Sequence, residues 1–145
     1  MKKVLLIGLV TTLFGSFCVI NSVYSQPYSS EQNELLAQVG LRTISMAIIT
    51  YAEANNGQFP TNLLNDLVNV NPPYISQDYA KIEKDGYKYS VEFYPDGYKI
   101  TATPAECGKT GNKIYILEAR GEQARKIVQR QGAPADIEIS ESDCK

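Results

Sequence analysis

The 145-residue chain contains no histidine and only three cysteines. Without histidine there is no base for a Ser-His-Asp or Cys-His nucleophile, and every His-ligated metal site is excluded. Cys107 and Cys144 lie 37 positions apart, which is no zinc framework. Excess positive charge is also missing: 14 Lys and Arg stand against 16 Asp and Glu. A basic footprint of the kind that binds nucleic acid is therefore absent, and no nucleic-acid partner is expected. Gly108-Lys109-Thr110 resembles the end of a phosphate-binding loop, but position 103, where that loop needs glycine, is Thr, and the segment leads into a strand pattern. The Asp85 and Asp96 turns lack the regular ligand ladder of an EF-hand. The carboxylate pairs Glu83 with Asp85 and Glu92 with Asp96 lie in polar, turn-rich sequence that would not raise one pKa, so they read as solvated surface charge. No catalytic residue, metal ligand or cofactor is assigned, and the chain is not expected to be an enzyme.

What is present begins with a targeting pattern. Lys2 and Lys3 precede an apolar run from Val4 to Ile20, followed by the small and polar stretch Asn21 to Ser25. That order matches a signal peptide over residues 1–25, with Val23 and Ser25 placed for cleavage between Ser25 and Gln26. The same run is near the lower length limit of a membrane span, so a retained anchor is the other reading, and only then is a membrane a partner. Phe17 precedes Cys18 where a lipidation motif needs a small residue. Removal of 1–25 leaves 12 basic and 16 acidic residues, a net charge of −4. It also leaves Cys107 and Cys144 in a chain bound for an oxidising periplasmic or extracellular compartment, where a disulfide between them is expected. Closing that loop would contribute about 4 kcal/mol in the chain-entropy treatment.

Ser29 and Ser30 with Glu31 and Gln32 supply a helix cap, and Ala37, Leu41, Ile44, Ile48 and Tyr51 then recur at helical spacing, flanked by Leu36, Gly40 and Ala47. Arg42, Ser45, Glu53 and Asn55 lie off that stripe. Asn56 and Gly57 end the helix, Pro60 holds the chain extended, and Thr61 caps a shorter helix over 62–70 that buries Leu63, Leu64, Leu67 and Val68. Tyr74 and Ile75 are expected to pin the following loop to the core. Beyond residue 84 the period becomes two: Tyr87, Tyr89, Val91 and Phe93 form one face of a strand, Tyr94-Pro-Asp-Gly97 turns, and Tyr98, Ile100 and Ala102 line the returning strand. Residues 113–119 make a third strand. The stretch 124–129 fits either a fourth strand or a helical turn. Residues 131–145 contain few large apolar side chains and read as a tail tied by Cys144.

The segments "LRTISMAIITYAEANNGQFPTNLLNDL", "PPYI", "DGYKYSVEFYPDGYKITATP" and "GKTGNKIYILEARG" follow one another in an order that resembles the globular head of type IV pilins and type II secretion pseudopilins. The resemblance spans roughly residues 35 to 128. It implies an α+β fold, a long N-terminal amphipathic helix packed on an antiparallel sheet of 3–4 strands, with a pilin-like domain over 26–130. It also implies an exported structural, assembly or surface-interaction role, with protein partners from a secretion or pilus-type assembly. The prepilin N-terminal motif is not there. Gly8 is followed by Leu9, the fifth position beyond it is Leu13, and Pro27 separates the apolar run from the head helix. The alternative function is a soluble periplasmic module that binds a small ligand or polysaccharide on a surface of Tyr87, Tyr89, Tyr94 and Tyr98.

Overall fold

The computed structural model describes residues 28–81, 83–129 and 137–145. The expected signal segment with its Ser25–Gln26 junction lies outside the described residues. The protein is an α+β fold in which helix α1 (Ser30–Ala54) packs on a four-stranded antiparallel sheet of order β1-β2-β3-β4. Ser29 starts α1 through a capping box: the Gln32 amide donates to Ser29 Oγ at 3.2 Å, and the Ser29 amide donates to Gln32 Oε1 at 3.0 Å. Asn56 and Gly57 stop the helix in left-handed conformations at φ 57° and 82°. The Gly57 amide closes the last turn by donating to the Ala52 carbonyl at 2.8 Å.

The corner that follows differs from expectation in detail. Asn62, rather than Thr61, caps a single π-helical turn, Leu63–Val68, with its side chain accepting from the Asn65 amide. The Asp66 carboxylate turns back to accept from the Thr61 amide and hydroxyl and from the Asn62 amide. The wider turn sends Leu67 and Val68 into the core and leaves Leu63 half-buried, while Leu64 is exposed instead of buried. The Tyr74 and Ile75 amides donate to the Leu67 carbonyl and pin the next loop, as expected.

Strands β1 (Tyr87–Tyr94) and β2 (Gly97–Pro104) form a hairpin whose loop is only Pro95 and Asp96, because Tyr94 pairs with Gly97. Strand β3 (Lys113–Arg120) pairs with β2. After it, Gly121 at φ 58° turns the chain into helix α2 (Gly121–Gln129). Helix wins over strand here because Ala124, Ile127 and Val128 recur at helical spacing, and Glu122 with Lys126 forms an i,i+4 ion pair at 2.6 Å. Ala124 and Ile127 are buried, and α2 packs beside α1.

Strand β4 (Ile139–Asp143) corrects the expected tail: it pairs with β3 from Lys113↔Asp143 to Leu117↔Ile139. Its own side chains are almost all exposed, so backbone pairing and the Cys107–Cys144 bond hold it rather than apolar burial. The sulfurs are bonded at 2.03 Å with the Cα atoms 5.9 Å apart. The core lies between α1 and the sheet, where Leu41, Ile44 and Ile48 meet Tyr87, Tyr98, Ile100 and Leu117.

Candidate functional site

Alternation along the strands favours sheet packing for the tyrosines over the interaction surface of the alternative reading, and the four are divided between two faces. Tyr87 and Tyr98 are buried, contrary to the interaction-surface reading, because β1 and β2 turn these side chains toward α1. Tyr87 donates its hydroxyl to the Lys113 carbonyl at 2.9 Å over Gly111, where a Cβ would fall 2.2 Å from the same hydroxyl. Burial, and then the nearby Glu34 carboxylate, raises its pKa well above the ordinary tyrosine value. Tyr98 meets Ser45 at 2.6 Å inside the helix–sheet interface. This corrects the placement of Ser45 off the buried stripe: the Tyr98 hydroxyl, delivered by β2, reaches it. Burial pushes the Tyr98 pKa up to about 12, opposed by the Ser45 hydrogen bond.

Tyr89 is half-buried, with its ring against Gly40 of α1 and edge-on to Tyr79 at 5.8 Å. Its hydroxyl is shielded from solvent and has no hydrogen-bond partner among the described residues. Tyr94 alone of the four projects from the outer face of the sheet, where the Arg120 guanidinium lies 4.0 Å above its ring and Glu92 accepts its hydroxyl proton at 2.9 Å. Among the described residues the four are split between the core, the helix side of β1 and the outer face of the sheet.

Of the two acid pairs, Glu83 and Asp85 border one open pocket of about 440 Å³ together with Lys109 and Thr110. Asp85 is ion-paired with Lys84, Asp96 accepts from Arg120 at 3.4 Å, and Glu83 is exposed. Glu92 accepts from Tyr94 and pairs with Lys99 at 3.3 Å, and these contacts lower its pKa, the Tyr94 bond most. That is the opposite of the raised pKa a general acid needs. Among the described residues no three Cys, Asp or Glu side chains come together as metal ligands. Gly108, Lys109 and Thr110 form a turn in the Cys107 loop, with Lys109 paired to Glu106 at 2.8 Å.

The surface feature with the most apolar character lies on α1. Leu35, Val39 and Met46 are 65%, 58% and 44% exposed. At 100° per residue they fall within about 40° of one another, opposite the buried stripe. Tyr28, just before the helix, is exposed and borders a shallow pocket with Leu35. Below Met46 this face continues into an open groove of about 690 Å³ bordered by Thr50, Tyr51, Val70 and Tyr74. Reading the helix for its core stripe passed over these residues. The signal that finds them is that α1 is apolar on two sides, with a composition and length sufficient for a membrane span although half of the most apolar stretch is buried in the fold.

Comparison of the chain with protein families, with characterised proteins and with solved structures returned no match. The function is therefore argued from geometry. The Cys107–Cys144 bond fits an oxidising compartment.

Proposed function

We propose that this chain is an exported, non-enzymatic structural or assembly component, built like the head domain of type IV pilins and type II secretion pseudopilins, and that it works by docking its long helix against another protein. The observation that carries this reading is the exposed line of Leu35, Val39 and Met46 on α1. An apolar stripe of this kind, on the outer side of a helix that already covers its sheet, is left largely out of the core and suits an interaction surface. The Cys107–Cys144 bond supports export to the periplasm or beyond. The reading of a ligand module on a tyrosine surface loses support because two of the four tyrosines are buried and the other two are half-buried on opposite faces of the sheet.

A photo-crosslinking residue placed at Val39 or Leu35 in the full-length chain tests the proposal in cells. Discrete protein adducts are expected at these two positions and not at exposed Lys126 on α2. Uniformly monomeric protein at both α1 positions would overturn it.

A further inference from the structure

The groove below Met46 has a polar chemistry of its own. Its walls come from the C-terminal half of α1 and from the loop after the π-helical turn, where Tyr51 and Tyr74 meet edge to face with ring centroids 5.6 Å apart. At about 690 Å³ it lies within the range of sites that take a ligand or a side chain, ~300–1,000 Å³. Several of its polar side chains are already used as donors. Thr43 and Thr50 donate their hydroxyl protons to the Val39 and Met46 carbonyls at 2.8 and 2.9 Å, and Asn55 donates its side-chain amide to the Tyr51 carbonyl at 2.7 Å. What these groups have left are oxygen lone pairs. Asp66 adds a full negative charge: Oδ2 accepts from the Thr61 amide and hydroxyl and from the Asn62 amide, and no described residue donates to Oδ1. Burial works against ionisation here, but those hydrogen bonds outweigh it and hold the Asp66 pKa below the ordinary carboxylate value.

Nothing positive balances that charge. Among the described residues, none of those lining the groove is Lys or Arg. The groove also opens beside the C-terminal end of α1, which carries partial negative charge, and the last turn of that helix holds no basic residue. Aromatic walls, oxygen acceptors, one carboxylate and a negative helix end are together complementary to a cation that carries several donors. We propose that this groove receives an arginine side chain of the protein that docks on α1, with the guanidinium directed to Asp66. The inference rests on the docking reading and gives the partner its chemistry; Met46 belongs both to the exposed apolar line and to the groove. Lysine is the poorer occupant, because its ammonium is compact and strongly hydrated, whereas the planar guanidinium offers five donors and stacks on tyrosine. An acidic or phosphorylated segment would meet Asp66 and the helix end with like charge.

NMR titration of the exported protein, isolated from cells that express the full-length chain, tests this with two blocked peptides. One is acetyl-Leu-Arg-Leu-amide; the other carries citrulline in place of arginine, which keeps the shape and loses the charge. The arginine peptide is expected to bind saturably, to move the Thr50, Tyr51 and Tyr74 amide signals most, and to bind at least about fivefold tighter than the citrulline peptide. Asp66→Asn keeps an oxygen for the Thr61 and Asn62 bonds but removes the charge, so it should shrink that ratio to about twofold. No saturable binding, or equal binding of the two peptides by the parent protein, overturns the proposal. So does an Asp66→Asn protein that weakens both peptides alike and keeps their ratio, since a merely structural role would do that. Should Asp66→Asn fail to fold, Thr50→Lys decides: at an exposed helix position it sets a cation in the groove and should abolish the preference for arginine, while Thr50→Gln, of similar length, should retain it. Crosslinks from Val39 without arginine-peptide binding overturn this inference and leave helix docking in place; the reverse result keeps the groove as a cation site and removes the docked partner.

Discussion

Ser45 and Tyr98 offer the sharpest test of how α1 is held on its sheet. Their hydroxyls meet at 2.6 Å, and neither side chain is more than 1% exposed. Ser45→Ala leaves the Tyr98 hydroxyl buried without its partner, which costs about 1–3 kcal/mol, offset by a few tenths from better helix propensity. Tyr98→Phe leaves Ser45 free to turn to the carbonyl four residues back, so about 0.5–1.5 kcal/mol is expected. The double variant removes both polar groups and should cost no more than the worse single, a coupling of at least about 1 kcal/mol. Urea unfolding of the four proteins measures this, with the midpoint moving and the slope constant. The pH dependence follows from burial of the same Tyr98 hydroxyl, which the Ser45 bond opposes. Burial raises the Tyr98 pKa to about 12, so between pH 10 and 12 the unfolded chain releases a proton that the folded chain keeps. Stability attributable to Tyr98 is complete below pH 10 and falls by about 1.4 kcal/mol per pH unit above it. Tyr98→Phe should flatten that loss relative to wild type. Singles that simply add, or a slope above pH 10 that Tyr98→Phe leaves unchanged, would refute the argument.

Tyr89→Phe should hold or raise stability, by up to about 1 kcal/mol, because it removes a buried hydroxyl that has no partner among the described residues; a clear loss in thermal unfolding would contradict this. Reducing Cys107–Cys144 should cost about 4 kcal/mol from the loop it closes. Hydrogen exchange should then show residues 139–143 losing protection before β2, since β4 buries little of its own; uniform loss across the sheet would be inconsistent with that. Crosslinking from Val39 completes the set by reading the outer face of α1.

The parts of the fold that were legible in the sequence are those whose signal is local. The cap at Ser29, the stripe through Leu41, Ile44 and Ile48, the Asn56-Gly57 exit and the two-residue hairpin are each decided by neighbours in the chain, and the structure has all of them. Strand β4 was not legible, because "ISESD" has one apolar residue and becomes a strand only through its register with β3. For α2 the short segment fitted two periods, and burial of Ala124 and Ile127 decides between them. Ser45 illustrates a third limit. A polar residue on a helix looks solvent-facing until its partner, 53 residues away, is placed against it. The tyrosine surface failed for a related reason: alternation along β1 and β2 identifies a face, and only the docking of α1 shows that this face is the covered one.

The exposed line on α1 also bounds the kind of association it can support. Fully burying a Leu, Val or Met side chain contributes about 1.5–3 kcal/mol, so at 65%, 58% and 44% exposure the three residues have roughly 3–5 kcal/mol gross to gain. Bringing two free molecules together costs about 4–15 kcal/mol in lost freedom. The stripe alone therefore falls short of stable pairing in dilute solution. It becomes sufficient where a second contact has already met that cost, because the next contact is then effectively intramolecular.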